Sequence, residues 1–121
     1  MTALVWTGVA LLGGAGAVLR FHLDARVQRR ADGEFPFGTT VVNLSGAFCL
    51  GLARGLSLTG DPTLLVGTAL LGSFTTFSTW MLETERLAEE GDGRLAAVNV
   101  TVSVVGGLAA AAAGWAVGAA L

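Results

Sequence analysis

GSFTTFSTW, residues 72–80, interrupts a chain otherwise dominated by Ala, Gly, Leu and Val, and its reading decides the fold. Nine residues carry five hydroxyls, two phenyl rings and an indole. Ser and Thr side chains compete with a helix for its own backbone partners, so Ser73, Thr75, Thr76, Ser78 and Thr79 after Gly72 favour a break. The competing reading is a continuous Ser/Thr-rich helix whose hydroxyls bond back to their own turn. The surroundings raise the stakes, because a break at membrane depth is tolerated only where backbone is buried in protein or lines a cavity.

Those surroundings are four apolar runs, at 3–21, 37–57, 63–82 (extending toward 90) and 95–120. Each holds about 20 residues or more, enough at ~1.5 Å per residue to cross a ~30 Å hydrocarbon core. Of 121 residues, 53% are hydrophobic and 13% charged, against about 25% charged in a soluble domain. The charges gather in the links and at the run ends. The pattern predicts one all-α transmembrane domain over 1–121, with four helices, the third broken near its middle. The first run lacks a basic leader and a convincing cleavage site, so it reads as a retained helix. The link 22–35 is a candidate short surface helix, 57–62 a tight turn with Pro62 opening the next helix, and 83–94 a helical extension ending at Gly91.

All seven cationic side chains are arginines. Arg20, Arg26, Arg29, Arg30, Arg86 and Arg94 fall on the face of the first and third links, and Arg54 alone on the other. The positive-inside rule puts the Arg-rich links in the cytoplasm and both termini outside in the predominant orientation. Small residues recur every four positions: Ala47, Gly51 and Gly55 below Asn43 in the second run, and Gly106, Ala110, Gly114 and Gly118 in the fourth. Such faces let helix backbones approach closely in lipid.

Polar groups inside the runs narrow the function. Asn43 needs a partner, because an unpaired carboxamide in hydrocarbon is costly; an interhelical hydrogen bond and a pathway role both supply one. Asn99 and Ser103, four apart, share a face of the fourth run, whereas Thr101 lies off it. Phe77 and Trp80 share a helix face. As packing residues they need no further role. As pathway residues their positive ring edges face an anion without trapping it. No nucleophile–base pair or metal-ligand cluster argues for an enzyme. Cys49 is the single cysteine, so no intrachain disulfide forms, and His22 lies beside a link.

Three segments together resemble the Fluc/CrcB family of fluoride channels. GGAGAVLR (13–20) is similar to the family's glycine-rich first helix ending in Arg. GTTVVNLSGAFCLG (38–51) is similar to its GTxxxNxxGxFxxG, and GSFTTFSTW to its GxxTTFSTF. Order and spacing agree over essentially the whole chain. The resemblance implies an antiparallel, dual-topology dimer in the cytoplasmic (inner) membrane, with two fluoride pores and a structural sodium ion at its centre. By position, Asn43, Phe77, Trp80 and Ser103 fall to the fluoride pore. Arg20, Ser78 and Thr79 fall to the vestibule, and the backbone carbonyls of Gly72 and Thr75 to sodium. Glu83 takes the usual acidic position after the third motif. Two positions depart from the pattern. Trp80 stands where Phe is usual, adding an indole N–H donor. Asn99 stands near a usual aromatic in a chain without tyrosine, a candidate pore-facing substitute.

The implied function is passive fluoride export giving fluoride resistance, with fluoride, lipid and a second subunit as partners and no nucleic acid. A homodimer is favoured over pairing with an oppositely oriented paralogue, although the Arg bias cuts against equal insertion both ways. The alternatives are a small multidrug-type four-helix transporter and a non-transporting membrane subunit. The first needs a membrane-embedded carboxylate, and the first run has no acidic residue before Asp24.

Overall fold

The computed structural model describes residues 2–121 and is all-helical over them. Helix α1 spans Ala3–Arg30 and α2 Phe37–Gly55. The third span opens as a π-helix, Thr63–Leu71, and runs on through Gly72–Phe74; we call this half α3. After the interruption it resumes as α4, Ser78–Glu89, and α5 closes the chain at Gly93–Ala120. The helices at Ala3–Arg30, Thr63–Glu89 and Gly93–Ala120 are each long and apolar enough to cross a membrane. At 19 residues, α2 is the shortest of the four spans and packs against α5, α1 and the third span.

What is buried and what is exposed identifies the solvent. Asn99 and Val42 are 0% exposed and Thr39 2%, whereas Leu4 is 81%, Leu11 69% and Leu108 70% exposed. Polar and small side chains sit inside beside a few apolar ones such as Val42 and Leu87, while most large apolar ones face out. That is the arrangement a lipid solvent favours, because interior polar groups pair with one another and outward leucines meet acyl chains.

Close backbone approach holds the interior. The most extensive packing is between α2 and α5. A Cβ on Gly51 would overlap the Ala111 carbonyl, one on Gly55 the Trp115 carbonyl, and one on Gly114 the Phe48 carbonyl. The small-residue faces therefore meet each other, as expected for Gly51, Gly55, Gly114 and Gly118. Gly16 of α1 lies against Leu70 and Phe74 of α3 in the same way.

One boundary differs from the sequence reading. The first helix does not stop near 21 but continues to Arg30. The stretch HLDARVQRR holds good helix formers and no Gly or Pro, and Arg29 and Arg30 in its last turn complement the helix dipole. The link to α2 shrinks accordingly. It is tied by Gln28, whose Nε2 donates to the Phe35 carbonyl at 3.1 Å and whose Oε1 accepts from Gly38 N–H at 3.1 Å. The interruption of the third span lies after Gly72 and near the middle of the span, as the sequence predicts, and Gly72 itself keeps helical angles (φ −63°, ψ −35°). The chain leaves the helix at Thr75, with φ −80° and ψ 158°. The turn at Gly91 lies where the sequence placed it, with φ +90°.

Candidate functional site

The interruption at 75–77 is held by side chains from α1 and α2 and by Thr76 of the interruption itself. Asn43 of α2 grips Thr76 with both ends of its amide: Nδ2 donates to the Thr76 carbonyl and Oδ1 accepts from Thr76 N–H, each at 2.8 Å. These two complementary bonds fix the amide's orientation. They replace bonds that a continuous helix would have made, which answers why a carboxamide sits there. One Nδ2 hydrogen remains unassigned, because a carboxamide nitrogen carries two. From α1, Arg20 Nη1 reaches the Thr75 carbonyl at 3.4 Å. Within the motif, Thr76 Oγ1 accepts from Thr79 N–H at 3.2 Å and donates to Thr79 Oγ1 at 3.1 Å. Thr76 thus caps α4, satisfying a donor that its first turn would otherwise leave orphaned.

This rearrangement changes the backbone acceptors. In a continuous helix the Gly72 carbonyl would accept from Thr76 N–H and the Thr75 carbonyl from Thr79 N–H. Both donors are turned elsewhere, to Asn43 Oδ1 and to Thr76 Oγ1. The break thereby withdraws the helical partners of the two carbonyls singled out in the sequence. Thr75 Oγ1 stays local, donating to the Leu71 carbonyl at 3.0 Å.

A cleft of about 340 Å³ opens beside the break, lined among others by Asn43, Gly46, Gly72, Thr75, Phe77 and Trp80. Phe77 is 70% exposed, and its ring meets Trp80 edge-on, with centroids 5.6 Å apart and planes at 77°. The structure therefore brings Asn43, Phe77, Trp80, Gly72 and Thr75 to one opening. Ser78 and Thr79 form the first turn of α4, above it in sequence. Ser103 does not line this cleft. It sits on α5, where its Oγ is buried and has no hydrogen-bond partner.

The indole N–H of Trp80 is already committed, donating to the Asn99 carbonyl at 3.3 Å. The added donor that distinguishes Trp from Phe is therefore directed at α5. Asn99 Nδ2 donates to Thr84 Oγ1 at 2.9 Å, and Thr84 Oγ1 donates to the Trp80 carbonyl at 2.8 Å. Thr84 does not stand out in the sequence; its spacing of four from Trp80 is the only signal. Glu83 accepts a hydrogen bond from Thr39 Oγ1 of α2, joining the second and third spans beyond the cleft.

A broken helix braced by a half-buried Asn, beside two aromatics that meet edge-on, invites comparison with known proteins. The family model described as CrcB-like protein, Camphor Resistance (CrcB), matches residues 7–115. The chain belongs to the CrcB family. Its relatives include a protein of Mycolicibacterium paratuberculosis named Fluoride-specific ion channel FluC 2. The two are 60% identical over 110 residues, covering 91% of this chain and 90% of that protein. The protein of the same name in Mycobacterium tuberculosis is 53% identical over 111 residues, covering 92% of this chain and 88% of its own. Fluoride-specific ion channel FluC 1 of Streptomyces avermitilis is 44% identical over 113 residues, covering 90% and 91%. As a CrcB protein with three long apolar helices, the chain is a multi-pass membrane protein.

Proposed function

We propose that this chain forms a fluoride-selective channel through which fluoride leaves the cytoplasm passively across the cytoplasmic membrane. The observation that carries this reading is the convergence of Asn43, Phe77 and Trp80 on one cleft at the break. Relatives named as fluoride-specific channels support it.

Fluoride must exchange its water for other positive partners along the way. Asn43 supplies its second amide hydrogen, held in place because its other groups are occupied by Thr76. Phe77 supplies a ring edge, the positive rim of the quadrupole. Trp80 supplies ring C–H edges, its N–H being directed to Asn99. Ser103 Oγ carries a donor with no protein partner, which suits a hydroxyl facing a polar track. None of these groups carries a full charge, so each binds weakly enough to release the ion, as conduction requires. Arg20, Ser78 and Thr79 serve the vestibule, where the guanidinium raises the local anion concentration.

One chain leaves its cleft open and Phe77 exposed, and a second subunit in antiparallel orientation closes it. In a homodimer the Gly72 and Thr75 carbonyls of both copies would hold the sodium ion. Carbonyl oxygens suit a hard cation, and withdrawal of the two helical donors fits the site to that role. One lone pair of the Thr75 carbonyl faces Arg20, leaving the other for the ion. When bound, the ion supplies a fixed positive charge that helps draw an anion into a low-dielectric path.

Liposomes holding this chain alone, loaded with fluoride and potassium and opened electrically with valinomycin, test the proposal. Fluoride appears at an external electrode without an imposed proton gradient, and chloride flux is far smaller. Equal chloride flux, or no fluoride flux from well-folded reconstituted protein, would overturn it.

A further inference from the structure

Trp80, Asn99 and Thr84 form a closed circuit of three hydrogen bonds between the third span and α5. The indole Nε1 donates to the Asn99 carbonyl, Asn99 Nδ2 donates to Thr84 Oγ1, and Thr84 Oγ1 donates to the Trp80 carbonyl. The direction of the circuit is determined by Thr84. Its one proton goes to the Trp80 carbonyl at 2.8 Å, so it offers Asn99 only lone pairs and must receive Nδ2. Asn99 Oδ1 is left buried and without a protein partner in a residue that is 0% exposed. An oxygen acceptor is the wrong group to hold an anion. One Nδ2 hydrogen is committed to Thr84, so what the structure shows of Asn99 is a brace between α5 and the third span.

We propose that Asn99 and Thr84 are positioning residues that hold the Trp80 indole with its ring edge toward the cleft. This rests on the channel reading above, in which that edge faces fluoride. An indole is larger than a phenyl ring and has a polar end that requires a partner when buried. If that N–H turned to the cleft, a charge-assisted hydrogen bond would grip the anion more tightly than a ring edge does. The Asn99 carbonyl removes the N–H from the path, and the Asn99 amide ties that segment of α5 back to the residue that bonds the indole's own backbone. The circuit lets a tryptophan occupy an edge-binding position.

The test uses the full chain in liposomes with Trp6 and Trp115 replaced by Phe, leaving Trp80 as the only indole. Time-resolved fluorescence anisotropy reads the freedom of the ring, and fluoride efflux is measured on the same preparations. Thr84→Val and Asn99→Leu increase the amplitude of fast indole motion, whereas Thr84→Ser, which keeps the hydroxyl, does not. Asn99→Leu changes efflux about fivefold to tenfold when position 80 is Trp, and less than about twofold when Trp80→Phe is also present, as expected for coupled neighbours. Equal effects of Asn99→Leu in both backgrounds, or indole motion unchanged by Thr84→Val, overturn the proposal. Thr84→Val removes one proton and little volume, so it still decides the question if Asn99→Leu fails to fold. Absence of fluoride efflux from the parent protein counts against the channel reading alone, because the anisotropy comparison is read without transport.

Discussion

Asn43 braces the break with both ends of its amide, and under the proposed function its remaining hydrogen meets fluoride. Asn43→Asp puts an oxygen where Nδ2 donates to the Thr76 carbonyl, so two acceptors face each other 2.8 Å apart. Losing a buried bond and leaving its partner unsatisfied costs about 1–3 kcal/mol. Thermal unfolding in detergent shows the loss of stability, and fluoride efflux from liposomes falls at least tenfold. Ser103 is the converse case. Its Oγ makes no bond within the protein, so Ser103→Ala leaves the melting temperature unchanged or slightly raised while efflux falls severalfold. A parallel fall in both would make Ser103 a packing residue. In the sequence Asn43 stands out because a lone carboxamide in an apolar run demands a partner. Which partner is not legible there, because Thr76 lies 33 residues away and only packing brings the two together. Thr84 stays hidden for the opposite reason: a helix hydroxyl bonding back to its own turn is so ordinary that its second bond to Asn99 leaves no mark in the sequence.

Among the elements, the α2–α5 contact is the most extensive and is built on glycine. A Cβ at Gly114 meets the Phe48 carbonyl and the Leu52 nitrogen, both backbone and unable to move aside. Gly114→Ala therefore costs about 1–3 kcal/mol as overpacking. Gly107, on the same helix, has no such neighbour within 4 Å, so Gly107→Ala leaves subunit stability unchanged or raises it by up to about 1 kcal/mol through helix propensity. Paired melts of the two variants check both directions. These faces are legible from four-residue spacing alone. The end of α1 is not. The apolar run ends near 21 where charge begins, yet charge stops a membrane span without stopping a helix, and HLDARVQRR continues the same coil to Arg30. The break is legible in kind, from crowded hydroxyls, and falls three residues beyond the glycine that suggests it. Glycine at 72 permits departure from a helix, whereas Asn43 holding Thr76 decides where it happens.

Across the whole molecule, polar groups face inward and most large apolar groups outward, and one cleft is left open at the break. Under the proposed function a second copy covers that cleft and buries Phe77, so the thiol of a Phe77→Cys variant, in a chain with Cys49→Ser, is expected to become protected from a membrane-permeant maleimide as subunits associate. Labelling that stays the same from dilute detergent to dense liposomes would place the dimer contact elsewhere. Such assembly lies beyond what four hydropathic runs disclose, since the same runs serve a monomer and a dimer. The bracing of the break has a further consequence, for helix docking. Every bond that replaces the helical ladder at 75–77 comes from Asn43, Arg20 or Thr76, and two of those three reside on other helices. The third span alone cannot sustain an open backbone in lipid. Its gap is sustainable only with α1 and α2 docked against it, so the cleft at the break is a product of assembly that no single span possesses by itself.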